Sequence, residues 1–202
     1  MKKFLRNNGL SLALTALFLA FWLCQALAGL RVYNQDAAQH GDAPHSFGTY
    51  LASGHFWQAT AENWESEFLQ MGAYVLLTTF LFQKGSAESH DPDNPGKENP
   101  AGHSWFYRHS LVLAFTGLFL ASFAVHAVQG LRKFNDERQD HGEPPASLSD
   151  YLGDAEFWFE SFQNWQSEFL AVLSIVVLTI FLRQQNSPES KRLDSPHSET
   201  GK

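Results

Sequence analysis

A single cysteine, Cys24, is all the thiol chemistry this 202-residue chain possesses, and it lies in an apolar stretch. An intrachain disulfide, a thiolate metal cage and a Cys-x-x-Cys redox centre are thereby excluded. Basic residues are also scarce: 14 Lys and Arg stand against 21 Asp and Glu, for a net charge of -7. The one basic cluster is Lys2, Lys3 and Arg6, so the electrostatic footprint that nucleic acid requires is missing. No phosphate-cradling glycine loop, nucleophile elbow or Cys-His pair occurs, and no enzymatic activity is expected. The mean hydropathy of -0.24 looks too low for a membrane protein. That average conceals a segregation, because the apolar residues gather in four blocks and the charges lie between them.

What is present in abundance is repetition. Glu62-Asn63-Trp64-Glu65-Ser66-Glu67-Phe68-Leu69 returns as Gln163-Asn164-Trp165-Gln166-Ser167-Glu168-Phe169-Leu170, each running into an apolar stretch. The same register shift pairs Leu10 with Leu111 and Ser89 with Ser190 without a gap, which points to an internal duplication. The first apolar block, residues 10–30, is about 21 residues long, enough for the ~30 Å hydrocarbon core at helical rise. Lys2, Lys3 and Arg6 before it also resemble the start of a secretory signal, but its copy at 111–131 lies too deep in the chain to be one. Both are expected as retained helices. The second spans, about 64–82 and 165–182, are short in apolar residues and draw the turn with the repeated glutamate to the lipid boundary.

Between the spans of each copy lie His40-Gly41-x-x-Pro44-x-Ser46 and His141-Gly142-x-x-Pro145-x-Ser147. Gly permits a turn, Pro ends a helix and Ser caps the next one. Aromatic residues then recur at helical spacing from Phe47 and from Leu148, as in an amphipathic helix at the headgroup layer, with breaks at Ser53-Gly54 and Gly153-Asp154. The expected fold is an all-α membrane protein with four transmembrane helices, arranged as two tandem parallel two-helix repeats with outward amphipathic helices. The first repeat covers 1–83, a flexible cytoplasmic linker 84–103, the second repeat 104–183 (spans about 109–131 and 165–182), and a disordered tail 184–202. Lys and Arg near the membrane ends, with Lys84, Lys97, Arg108, Arg183, Lys191 and Arg192 on one side, favour both termini inside.

With these residues assembled, the chain resembles a family of small bacterial integral membrane proteins without assigned function. The resemblance is carried by the segment from Asn63 to Met71, by Arg31-x-Tyr33-Asn34 and by Ser46-Phe47-x-x-Tyr50-Leu51, and it covers 8–190. It implies a multi-pass protein of the bacterial cytoplasmic membrane and brings no catalytic residues. The second copy departs from the first at Gln163, Gln166 and Ala171.

Depth along the helices brings Gln25, His126, Glu67 and Glu168 to one level, with Asn63, Asn164, Arg31 and Arg132 close above. Arg31 and Arg132 are expected to pair with Glu67 and Glu168 and fasten the spans. The sharper alternative makes the carboxylates and His126 an ion or proton site, since ionisable groups within lipid usually pair or serve a pathway. His40 and His141, joined by His45 and His55, could gather an outer metal, but turn stabilisation is the expectation and no metal or other cofactor is assigned. Only His126 lies inside a span, so a haem held between two axial histidines is not expected. The favoured function is a structural or interaction component, a homo-oligomer or the partner of another membrane protein in the bilayer. Small-cation or proton permeation through Glu67, Glu168 and His126 is the runner-up.

Overall fold

The computed structural model describes residues 2–96 and 101–201. Lys97, counted above in the charge bias, lies outside the described residues with 98–100 of the linker and the residues at either end. Among the described residues the regular elements are helices: α1 (Lys2–His40), α2 (Phe47–Leu51), α3 (Gly54–Leu77), α4 (Trp105–Arg108), α5 (Ser110–Asp140), α6 (Leu148–Leu152) and α7 (Ala155–Phe181).

Three of them, α1, α5 and α7, are long and apolar enough to cross a membrane. Their most apolar windows are only 6%, 17% and 6% buried within the protein. Such surfaces are unfavourable in water and natural in lipid, which suggests a membrane protein. The fourth expected span behaves differently. Helix α3 ends at Leu77 instead of running to residue 82, and Glu62, Glu65 and Glu67 lie within it. Hydroxyls account for the early stop: Thr78 donates to the carbonyls of Tyr74 and Val75, and Thr79 to that of Leu76. Side chains that bond back to the preceding turn compete with the helix ladder. In α7 the place of Thr79 is taken by Ile180, and the helix continues to Phe181.

The turns from α1 to α2 and from α5 to α6 are built the same way. Asn34 accepts from the backbone N–H of His45 at 2.7 Å and donates to its carbonyl at 3.1 Å. Asn135 does the same with Ala146, at 2.7 and 3.2 Å. Ser46 caps α2 by accepting from Thr49 N–H. The expected helix breaks fall at Ser53-Gly54 and Gly153-Asp154, with Asp154 capping α7. Gly54 has a packing reason: a Cβ there would stand 2.7 Å from the carbonyl oxygen of Gln129 in α5.

The chain divides into two compact units. Met1–Thr60 with Val128–Ser147 forms one, and Ala61–Ala127 with Leu148–Lys202 the other. The first unit has a core of Ala26, Tyr50 and Phe56, with Trp22, Leu30, Tyr33, Leu51 and Trp57 packed against it. The rings meet at 5.4–5.9 Å between centroids, as in the tilted and edge-on pairs Tyr33–Tyr50, Tyr50–Phe56, Phe56–Trp57 and Trp22–Phe56. Thr60, buried in this unit, accepts from both Trp22 Nε1 and Gln25 Nε2.

In the second unit the centre is Phe157, fully buried, with Phe123, Tyr151 and His126 around it. At its other end the described residues of the linker after Lys84 and of the segment after Arg183 form turns. Residues 83–89 and 184–190 adopt matching turns, with Gly85 at φ 87° and Asn186 at φ 64°. Gln83 N–H donates to Ser89 Oγ and Gln184 N–H to Ser190 Oγ, both at 2.9 Å. The ammonium of Lys191 is buried and donates to the carbonyls of Gly85, His197 and Glu199. One buried cation that collects carbonyl oxygens gives irregular chain a reason to order.

Candidate functional site

The most polar interior of the second unit lies where α3, α5 and α7 meet. Glu62 and Glu65 are one turn apart on α3, so they share a face. His126 comes from the middle of α5, Ser161 and Trp165 from one face of α7, and Glu160 from the position before Ser161. Glu65, His126 and Ser161 have no exposed surface. Full burial of an acid and a histidine costs free energy unless every charge and lone pair is answered.

Glu65 is answered fully. Its Oε1 accepts from Ser161 Oγ at 3.0 Å and from Trp165 Nε1 at 3.3 Å, and its Oε2 lies 3.1 Å from His126 Nδ1. An ionised carboxylate only accepts, so Nδ1 of His126 carries the proton in this contact. That leaves the other ring nitrogen. His126 Nε2 is buried without a hydrogen-bond partner. It faces Glu160 Oε2 at 3.6 Å and Glu62 Oε2 at 3.9 Å, both beyond hydrogen-bond range. Phe157 packs against the ring at 4.8 Å between centroids, tilted by 30°. Close by, Tyr151 is buried, and burial, then Glu160, Glu156 and Glu62, push its hydroxyl above the usual tyrosine range. It therefore stays a neutral phenol beside the carboxylates.

Donor atoms of Glu62, His126 and Glu160 lie within 4.8 Å of one another, the one such group of three among the described residues. Two carboxylates and an imidazole nitrogen can hold a proton or a metal ion.

The residues singled out from sequence are dispersed more widely. His126 is at the centre, but its partner is Glu65, not Glu67, which is exposed. Glu168 is half-buried, and its backbone carbonyl accepts from Gln70 Nε2 at 3.0 Å. Asn63 is exposed and Asn164 half-buried. In the first unit Gln25 is taken up by Thr60, Arg31 is exposed, and Arg132, also exposed, donates to Gln129 Oε1 at 3.2 Å. His40 and His141 each place Nδ1 on a carbonyl one turn back in their own helix, Asp36 and Glu137 respectively. His45 and His55 line a cavity of about 260 Å³ in the first unit with Asp36, Lys133, Asp136 and Asp140.

Glu62, Glu65, Glu160, Ser161 and Trp165 were missed. A signal for the first two was in view: of the three departures at Gln163, Gln166 and Ala171, the first two replace the acids Glu62 and Glu65 by neutral residues. An acid kept in one copy alone answers to something local, here His126.

No curated protein and no solved structure matches the chain. A family model described as a domain of unknown function, DUF6766, covers residues 1–202, and the chain belongs to that family.

Proposed function

We propose that this chain is a polytopic protein of the bacterial cytoplasmic membrane that handles a small cation at the Glu62–Glu65–His126–Glu160 centre. In this reading α3 is drawn in as the fourth span, the spans form two parallel repeats, and both termini face the cytoplasm. The observation that carries it is the wholly buried Glu65–His126 contact in a molecule whose long helices are mostly exposed and apolar. Ionisable groups at such positions are expensive in lipid and mark ion or proton pathways by default.

The second reading is a structural or interaction component of that membrane. Exposed apolar helices favour it no more than they favour any lipid-facing protein. The cation reading is tested by flux in proteoliposomes under imposed pH, sodium, potassium and divalent gradients. The expected result is a flux lost in Glu65→Gln and retained in Glu67→Gln/Glu168→Gln. Flux equal to protein-free liposomes for every cation would leave the interaction reading.

A further inference from the structure

We propose that Glu62, His126 and Glu160 bind a divalent transition-metal ion of the zinc class, with Glu65 orienting the imidazole. The inference rests on the cation-handling reading and names its cation.

The tautomer is the first argument. Glu65 accepts the hydrogen bond from Nδ1–H of His126 while Ser161 and Trp165 saturate its other oxygen. In the neutral ring the Nε2 lone pair is thereby aimed at the oxygens of Glu62 and Glu160. Lone pair against carboxylate is repulsive, and a cation at Nε2, a proton or a metal ion, makes the arrangement favourable. A carboxylate that holds the far nitrogen of a ligating histidine is the usual outer support of such an ion, fixing tautomer and ring orientation.

Distance is the second. Separations of 3.6 and 3.9 Å are too long for hydrogen bonds. Atoms bound to one ion at about 2.0–2.2 Å lie roughly 3.3–3.8 Å from each other at tetrahedral to trigonal angles, so a small inward shift of the two carboxylates closes the site. One imidazole with two carboxylates selects zinc and its neighbours over magnesium or calcium, which prefer oxygen alone. The charges match as well, since two carboxylates and a neutral imidazole balance a divalent ion. His126 is closed off, but the side chains of Glu62 and Glu160 are 19% and 21% exposed. That open side admits the ion and leaves room for water or a solute ligand.

The repeat fixes the stoichiometry. Sequence pairing sets His126 against Gln25, Glu62 against Gln163, Glu65 against Gln166 and Glu160 against Ala59. The counterpart positions are all uncharged and hold no imidazole, so one chain carries one such site.

The test uses the full chain, purified in detergent through a tag without histidine, stripped with chelator, and equilibrated with zinc or cobalt(II). Metal content is read by atomic emission, and cobalt coordination by its visible spectrum. The expected result is one ion per chain in the wild type, with a cobalt spectrum of mixed nitrogen and oxygen ligands. Both are lost in Glu62→Gln/Glu160→Gln and in His126→Gln, each checked for monodispersity. Glu65→Gln keeps the stoichiometry at saturation and weakens affinity by about 10–100-fold, the usual effect of losing an outer-shell carboxylate. A monodisperse wild type that retains neither metal overturns the proposal, as does wild-type binding by the carboxylate double variant, which would place the ion elsewhere. Proton flux abolished by Glu65→Gln without metal retention would sink the metal and keep the cation reading. Absence of both flux and metal would sink both.

Discussion

Glu65 and Glu67 are two positions apart, which on a helix turns their side chains by about 200°. That rotation alone decides that Glu65 enters the polar centre while Glu67 is exposed. His55, in the first unit, allows a prediction of another kind. Its Nδ1 lies 3.3 Å from the Tyr50 hydroxyl and its ring 5.5 Å from that of Tyr33. Burial first, then the nearby Lys133, hold its imidazole below the usual histidine range, with Asp36 opposing. The fold therefore favours neutral His55. Stability from this group is fully present above its unfolded value of about 6.5, and is lost as pH falls through the lowered folded value. Thermal melts of wild type and His55→Gln from about pH 7.5 to about pH 5 check this. The wild-type midpoint should fall more steeply with acidification than the variant's; parallel curves would remove His55 from the acid response.

At the scale of elements, the turns that join α1 to α2 and α5 to α6 depend on one asparagine each. Asn34 and Asn135 satisfy both the N–H and the C=O of a residue across the turn. Asn34→Ala or Asn135→Ala strands those two backbone groups and should destabilise the protein by roughly 1–3 kcal/mol. Limited proteolysis at the adjoining turn is the sensitive readout, with faster cleavage at 41–46 in the first variant and at 142–147 in the second. Unchanged cleavage in both would mean that Pro44, Pro144 and Pro145 hold the turns without the asparagines. These turns were legible in sequence because their residues act locally, within one stretch of chain. The end of α3 was not, because apolar content alone carried the expectation to residue 82, whereas the hydroxyls of Thr78 and Thr79 stop the helix at Leu77.

For the whole molecule the open question is which surface faces which side of the membrane, and single cysteines can decide it. Cys24 is the lone thiol and is exposed on α1, so Cys24→Ser provides a background. In that background Asp42→Cys and Glu143→Cys should react with a membrane-impermeant maleimide added to intact cells. Asp93→Cys and Glu199→Cys should react only after the membrane is opened. Labelling of all four from outside would overturn the proposed orientation.

Sequence by itself determined the helical elements, the positions of the turns and the apolar character that suits α1, α5 and α7 to lipid, because hydrophobic length, glycine, proline and capping residues act over one or two turns of chain. It also pointed to His126 as the exceptional residue in a span. Tertiary structure alone decided what His126 meets. Glu65 on α3, and Ser161 and Trp165 on α7, come together with it only when three helices pack, and the choice among nearby acids is made by helix rotation and burial. A buried charge needs its partners at hydrogen-bond distance, and those partners are close in space but far apart in sequence.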